Sequence, residues 1–306
     1  MTPIGWLVND YLTCIPGTRT FWHNLLEWFP GLVDKTYPDF SILPKYIESE
    51  YNHTKPAYII RNGTYFAKIN IPVKTISLIQ DVAADKSEQL NIINSSTVTV
   101  FNTYYVYDKY KNYITNTIVK ICPLGINFDF FKPIEQRHPD VLPNSIIFIG
   151  ASTTHPKGFN IMLDIISKMT NQNFCLVMKD SFSLDQLSTD VRHRVKIFNR
   201  VSQETVRLLI NSCICAVCTS YEETQHLSGV ECGACNIPIV ARKVGFYYDC
   251  QQDKDWGLIA DDNTFVTQLE YVINNLDQFS PRQYLIQKYS TDICRQNWEN
   301  IIAECI

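Results

Sequence analysis

The stretch from Tyr221 to Ala241, YEETQHLSGVECGACNIPIVA, decides how the rest of the chain is interpreted. It follows an apolar run, carries carboxylates at Glu223 and Glu231, and closes on Ile-Pro-Ile-Val, which predicts a strand, a loop, a short helix and a second strand. We expect the helix to start near Gln225 or His226. Glu223 would then lie at the mouth of the helix and Glu231 about two turns inside it. Glu223 is therefore predicted to face a crevice, and Glu231 to line the wall of that crevice.

The composition indicates a globular protein of two domains. The chain has 306 residues, 45% hydrophobic and 19% charged, a length that is generous for a single core. The net charge of -4 argues against nucleic-acid binding, which needs a basic face. No segment reaches the roughly 18 consecutive apolar residues of a membrane span, so we expect a cytoplasmic location. A predicted helix from Thr20 to Phe29 has a wide apolar surface that we assign to the core, with membrane contact as a minority interpretation.

The 11 cysteines admit two interpretations. Cys232 and Cys235 have the two-residue spacing of a zinc knuckle. Against this, Cys213, Cys215 and Cys218 lie in the apolar run CICAVC, where cysteine acts as a small hydrophobic residue. We therefore favour free buried thiols, which also suit a reducing cytosol, and predict no metal site.

Alternating strand and helix patterns predict an α/β fold in two series. The proline-containing segment from Asn127 to Asn144 reads as a linker, so the predicted domains are 1–133 and 134–306, with a C-terminal helix able to pack back on the first domain. The loop from Tyr11 to Arg19 has a single glycine, Gly17, instead of the glycine-rich dinucleotide fingerprint. A Rossmann dehydrogenase is therefore disfavoured.

Polar side chains follow two strands of the first predicted domain. Asn62 comes after one of them, and Gln80 and Asp81 come after the next. Ligands of open α/β sheets bind at the carboxyl ends of the strands, which makes these residues site candidates. Their alternative role is helix capping.

Basic side chains follow the strands of the second predicted domain. Lys157, Lys179 and Arg200 would gather positive charge in a cleft that faces the first domain. The helix N-terminus near Gln225 would add backbone N–H groups, and together these donors predict a diphosphate site. Glu231, which points back from the helix, could accept both hydroxyls of a ribose.

Four stretches in a fixed order resemble one enzyme family. They are PLGIN (123–127) with FKP (131–133), FIG (148–150) with PKG (156–158), the two glutamates with Gly233 and IPIV (237–240), and the closing helix with Trp298. Together they resemble the GT-B glycosyltransferases of the retaining, family 4 type. The resemblance covers the second domain well and the shortened first domain loosely. It implies two Rossmann-like domains that face each other across a cleft.

The resemblance also implies roles for single residues. Glu223 and Lys157 would be the catalytic pair, with Glu223 on hydroxyls of the donor sugar and Lys157 neutralising the departing diphosphate, while Glu231 would hold the ribose. The remaining implied donor-binding residues are Gly17, Gly150, Lys179, Arg200, Thr224, Gln225, His226 and Leu227. Asn62, Gln80 and Asp81 become acceptor-side candidates. The implied co-substrates are a UDP- or GDP-sugar and a saccharide or other hydroxyl acceptor, and the implied reaction needs no metal or other cofactor.

Two positions depart from the family pattern. Ala151 stands where members often carry an arginine, so Lys179 or Arg200 is expected to replace that phosphate ligand. Gln80, followed by Asp81, stands where many members place a histidine that faces the donor sugar. The Gln-Asp pair resembles a variant of this position that is known within the family.

Two other functions stay open beside a retaining glycosyltransferase. A hydrolase could use Glu223 and Glu231 as acid and nucleophile, but roughly eight helical residues would separate them by about 12 Å along the axis. Glycosidase carboxyl pairs lie roughly 5 to 9.5 Å apart. The more serious alternative is a degenerate transferase that serves as a nucleotide-sugar sensor or scaffold, because Ala151 and the short first domain both weaken the pattern.

Overall fold

The computed structural model describes residues 4–9, 16–36, 43–63, 71–82, 86–150, 155–179 and 182–306. The chain divides into two compact units. Unit 1 is formed by Met1–Gly125 together with Thr291–Ile306, and unit 2 by Ile126–Ser290. The sequence places the junction later, at residue 133, because the prolines that mark the linker lie beyond the point where the packing changes.

A sheet of parallel strands forms the centre of unit 1. Its strands are Gly5–Asn9 (β1), Leu32–Thr36 (β2), Tyr58–Asn62 (β3), Lys74–Ile79 (β4), Val98–Phe101 (β5) and Ile118–Ile121 (β6). Their order across the sheet is β2-β1-β3-β4-β5-β6. Every residue of β3 and β5 is buried, as expected for parallel strands with helices on both faces.

Helices numbered over the whole chain cover this sheet. Those described in unit 1 are Pro16–Trp28 (α1), Leu43–Thr54 (α2), Lys86–Asn94 (α3), Tyr104–Tyr110 (α4) and Thr291–Cys305 (α11). The C-terminal helix α11 belongs to this unit: the rings of Trp298 and Phe21 lie 5.8 Å apart, and the Cys294 thiol donates to the Pro123 carbonyl at 3.0 Å.

The predicted loop around Gly17 is wrong in part. Helix α1 begins at Pro16, so Gly17 lies in its first turn. The physical reason is that the fixed φ of proline suits the first helical position, where its missing N–H costs nothing. The predicted start at Thr20 is too late for the same reason. The rest of that loop, 11–15, lies outside the described residues.

Unit 2 repeats the plan with a second parallel sheet. Its strands are Ser145–Gly150 (β7), Asn173–Met178 (β8), Val195–Asn199 (β9), Cys213–Cys218 (β10), Ile239–Ala241 (β11) and Gly257–Ile259 (β12). Their order is β12-β11-β10-β7-β8-β9. The helices are Phe159–Lys168 (α5), Gln203–Asn211 (α6), Leu227–Ala234 (α7), Phe246–Asp249 (α8), Phe265–Asn274 (α9) and Pro281–Tyr289 (α10).

The segment 127–144 contains no helix or strand, yet it is fastened to unit 2 at several points. The Arg282 guanidinium donates to the carbonyls of Phe131 at 2.9 Å and Phe128 at 3.0 Å. The Asn211 side chain accepts from the backbone of Ile134 at 3.0 Å. Arg282 also donates to the carbonyl of Ala234, the last residue of α7, at 2.6 Å, so this segment and α7 share one anchor.

None of the helices in the described residues combines the length and apolar character that crossing a membrane requires.

Candidate functional site

The predicted donor residues of unit 2 gather at the carboxyl ends of β7, β8, β9 and β10. The loop before α5 docks there on the residues after β10: Tyr221 N–H donates to the Pro156 carbonyl at 2.9 Å, and the Thr219 hydroxyl donates to the Lys157 carbonyl at 3.1 Å. Gly158 has φ +62, and a Cβ there would lie 2.1 Å from the Thr219 carbonyl oxygen. Only glycine permits this approach, and it fixes where Lys157 stands.

Lys157 and Glu223 form an ion pair at this edge. Lys157 Nζ lies 2.8 Å from Glu223 Oε1, and the Ser220 hydroxyl donates to the same oxygen at 2.8 Å. Burial raises the pKa of Glu223, but His226 and Lys157 outweigh it, so the net pKa is lowered. The His226 ring is itself neutral at pH 7, because burial lowers its pKa to about 4. Lys157 therefore supplies the positive charge that keeps Glu223 ionised at neutral pH.

The turn between Glu223 and α7 is built on an unusual backbone conformation. His226 precedes the helix with φ 67 and ψ 68, the left-handed region that non-glycine residues rarely occupy. Its Nδ1 lies 2.6 Å from the Tyr247 hydroxyl, and its Nε2 lies 3.1 Å from the Ser228 hydroxyl. Two side-chain hydrogen bonds thus hold a strained residue at the helix N-terminus.

The environment fixes the direction of these two bonds. Burial raises the pKa of Tyr247 well above its ordinary value, so its hydroxyl stays protonated, and we assign it as donor to Nδ1 of the neutral imidazole. Nε2 then carries the proton and donates to the Ser228 oxygen. Gly229 makes this possible, because a Cβ there would lie 2.1 Å from the Tyr247 hydroxyl and 2.6 Å from His226 Nδ1.

Helix α7 starts later than the sequence predicts. Its first residue is Leu227, so Glu231 is the fifth helical residue and lies little more than one turn inside. The prediction of two turns was wrong, because His226 in the left-handed conformation breaks the helical path. Since only part of the segment from Glu223 to Glu231 is helical, the estimate of about 12 Å does not hold, and it no longer argues against a hydrolase.

Glu231 sits in a half-buried position on α7. Burial raises its pKa to about 7. Its carboxylate has no hydrogen bond or ion pair with the described residues. An ionisable group that is desolvated and unpaired is poised to accept hydrogen bonds from a ligand. Of the residues predicted to offer their backbone to phosphate, Thr224 and Leu227 are half-buried and Gln225 is 1% exposed.

Lys179 and Arg200 lie beside each other at the ends of β8 and β9. Both side chains are exposed, and Arg200 Nε donates to the Lys179 carbonyl at 3.0 Å. Gly150, the last residue of β7, accepts from the Lys179 backbone N–H at 3.3 Å. The structure therefore brings these three to the edge of the sheet that carries Lys157. Ala151 lies outside the described residues.

The three candidates of unit 1 share another sheet edge. Asn62 ends β3 and is 5% exposed; Gln80 follows β4 and is 3% exposed. Asp81 is half-buried, and its carbonyl accepts from Gln89 Nε2 at 3.1 Å. Asn102 stands at the equivalent place after β5 and was not predicted as a site residue. Its signal was a polar residue after an apolar strand, the same signal that marked Gln80.

The cysteines of the described residues are free and buried, as predicted. Burial raises the pKa of Cys232 well above its ordinary value and that of Cys235 to about 12, so both stay protonated thiols. Another group, Cys218, Glu223 and His226, has ligand atoms within 4.8 Å of one another. It fits a metal poorly, because Lys157 already neutralises Glu223 and burial raises the pKa of Cys218 to about 12.

One protein-family model matches the chain, and the match lies within unit 2. Residues 143–275 match the model of the protein family described as glycosyl transferases group 1, and this range lies inside unit 2. A search of the curated proteins found no sequence that matches the chain. The family match indicates a glycosyltransferase, in agreement with the sequence.

Solved structures resemble the chain over nearly its whole length. Sucrose-phosphate synthase from Thermosynechococcus elongatus has 13% identity and a TM-score of 0.77, covering 98% of each chain. A glycosyltransferase from Rickettsia africae has 14% identity and a TM-score of 0.78, covering 100% of this chain and 99% of that chain. Anabaena HepE in complex with UDP and glucose has 13% identity and a TM-score of 0.75, covering 98% of this chain and 100% of that chain. These likenesses confirm the predicted GT-B fold with two Rossmann-like domains.

Proposed function

We propose that the protein is a retaining glycosyltransferase of the family 4 type, which moves a sugar from a UDP- or GDP-sugar to a saccharide or other hydroxyl acceptor. The observation that carries the proposal is the Lys157–Glu223 ion pair beside the N-terminus of α7. The pair supplies a cation and a carboxylate, and the start of α7 adds backbone N–H groups at the same sheet edge. The similar Anabaena protein holds UDP and glucose, which supports a nucleotide-sugar donor.

The chemistry asks for two kinds of stabilisation. A leaving nucleotide diphosphate needs positive charge and N–H donors, which Lys157 and the first turn of α7 offer. A sugar that develops oxocarbenium character needs a nearby carboxylate and positioned hydroxyls, the role we assign to Glu223. Glu231 accepts the ribose hydroxyls, and Thr224 to Leu227 offer their backbone to phosphate. The unit 1 edge with Asn62, Gln80 and Asp81 serves the acceptor side.

We further propose that the reaction needs no metal and that the protein works in the cytoplasm. The Lys157 ammonium already takes the place of a cation at Glu223. Free buried thiols suit a reducing compartment. Turnover in the presence of EDTA tests the first point: unchanged turnover is expected, and a loss restored by a divalent cation contradicts it.

The experiment that tests the function is release of UDP or GDP from a panel of nucleotide sugars, with saccharides as acceptors. Turnover with at least one donor is expected. The anomeric configuration of the product, read by NMR, separates retention from inversion. The second candidate, a catalytically degenerate GT-B protein that binds nucleotide sugars as a scaffold, is favoured by Ala151 in the donor loop. It predicts nucleotide-sugar binding without turnover.

A further inference from the structure

Asn102 and Gln80 occupy equivalent places on neighbouring strands of unit 1. Ile79 and Phe101 are register partners in β4 and β5, and the two amides each come one residue later. Parallel neighbours lie about 4.8 Å apart. Asn62 ends the adjoining strand β3. Three amide side chains therefore stand along one edge of the sheet.

The Asn102 amide is buried without hydrogen bonds. The residue is 1% exposed, and in the described part of the chain neither Nδ2 nor Oδ1 has a partner. Asparagine is rarely so buried, and a buried amide that has lost its water without gaining a partner destabilises the fold. Such a group in a folded protein calls for an explanation.

Helix capping does not provide that explanation. The residue that caps α4 is Thr103, whose hydroxyl accepts from the Val106 backbone N–H at 3.3 Å. Asn102 precedes it and takes no part in this bond. The amide is therefore available for something other than local structure.

We propose that Asn102 binds a hydroxyl of a sugar substrate, an inference that rests on the proposed function. An amide presents both donors and an acceptor, and a sugar hydroxyl both donates and accepts, so hydroxyls satisfy both ends of Asn102. A phosphate would leave its carbonyl without a donor, and a cation would leave its N–H groups without an acceptor. Because solvent does not reach the amide, binding requires a local shift at this strand end.

Thermal stability separates a ligand-binding amide from a structural one. Asn102→Ala is expected to leave Tm unchanged or raise it, because no protein hydrogen bond is lost. Asn211→Ala is the matched control: Asn211 is 5% exposed, and its amide bonds the backbone of Ile134, Lys132 and Arg207. Its Tm should fall by roughly 4 °C or more. An equal fall for Asn102→Ala would show a partner within the protein or a buried water and would overturn the inference.

Kinetics with the donors and acceptors that support turnover test the binding itself. Asn102→Ala should lower turnover about tenfold, the effect of one good hydrogen bond. One deoxy-sugar, which lacks the hydroxyl that Asn102 binds, should lower the turnover of the wild type by the same factor. The turnover of Asn102→Ala should not fall further with that deoxy-sugar. If the hydroxyl belongs to the donor, the loss persists when water is the acceptor; if it belongs to the acceptor, the loss appears only with the acceptor. An active wild type with an equally active Asn102→Ala sinks this inference alone, whereas an inactive wild type sinks the proposed function.

Discussion

Lys157 Nζ lies 2.8 Å from Glu223 Oε1, a contact between residues 66 positions apart in the sequence. Gly158 lets the lysine loop reach the segment after β10, and Ser220 shares the carboxylate oxygen. The pair is partly open, with side-chain exposures of 28% and 11%. It therefore joins the cation expected at the diphosphate to the carboxylate expected at the sugar.

The substitution Lys157→Gln tests that connection. Without the ammonium, burial dominates and the pKa of Glu223 rises, so the acid limb of the pH profile for turnover should move to higher pH. Turnover at pH 7 should fall about 10²–10³-fold, as when a group that stabilises developing charge is removed. Lys168→Gln is the control, because Lys168 pairs with Asp164 on an exposed helix face. A pH profile that keeps its acid limb in Lys157→Gln would contradict this account.

Tyr247→Phe tests the hydrogen bonds that hold His226. The change leaves Nδ1 of a buried imidazole without its donor, which should lower the free energy of unfolding by about 1–3 kcal/mol. Because the turn presents the N-terminus of α7, the Kd for UDP, GDP or inorganic pyrophosphate should also rise. Urea unfolding and titration calorimetry measure the two effects. Tyr271→Phe, which removes an exposed bond to Gln278, should change neither; unchanged pyrophosphate binding in Tyr247→Phe would refute the link to phosphate.

The pattern of the sequence predicted the strand ends better than the turns between them. Apolar runs followed by polar residues marked β7, β8, β9 and β10, because parallel strands are buried on both faces. The start of α7 was misplaced because a histidine in the left-handed conformation has no signal of its own. The conformation of His226 is held by a hydrogen bond to Tyr247, which belongs to a separate helix, α8.

Short and edge elements were overlooked for a different reason. The edge strands β2 and β12 lack a long apolar run: β2 carries Asp34 and Lys35, and β12 has only three residues. The helices α2 and α9 were also not predicted. Contacts such as Arg282 with Phe131 join segments 151 positions apart, so only the folded chain reveals them.

Glu231→Gln should show opposite effects on stability and on binding. Burial raises the pKa of Glu231 in the folded state to about 7, above the ordinary 4.5. Between these two pH values the carboxyl is protonated in the folded state and ionised in the unfolded state. The stability of the wild type therefore falls as the pH rises. At pH 8 the variant should therefore be more stable by about 1–2 kcal/mol, a value reduced for partial exposure. At pH 5, close to the unfolded pKa of 4.5, the difference should shrink to about a quarter of that value. Urea unfolding at both pH values measures it, with the exposed Glu222→Gln as control.

The affinity for UDP or GDP tests the proposed role of Glu231 in binding the ribose. The carboxylate form of Glu231 accepts ribose hydroxyls, so wild-type affinity for UDP or GDP should weaken as the pH falls below about 7. Glu231→Gln should bind about tenfold more weakly at pH 8 and lose this component of the pH dependence. Equal affinities for wild type and variant across the range would remove Glu231 from the ribose site.

Arg282→Met should loosen α7. The change keeps the apolar stem but removes donors to the carbonyls of Phe128, Phe131 and Ala234, which should cost about 2–3 kcal/mol. Urea unfolding measures the loss. Arg295→Met removes an exposed pair with Glu299 and should cost less than about 0.5 kcal/mol. Equal stabilities of the two variants would show that the carbonyls find other donors.

Release of nucleotide diphosphate by Glu223→Gln tests whether Glu223 serves sugar transfer. The variant keeps the volume and the hydrogen-bond reach of the side chain, and its neighbour Glu222→Gln, at an exposed position, is the matched control. With the best donor of the panel, Glu223→Gln should release nucleotide about 10²–10³-fold more slowly than the wild type, while Glu222→Gln stays within about twofold. Equal rates for Glu223→Gln and Glu222→Gln would contradict the assignment of this site.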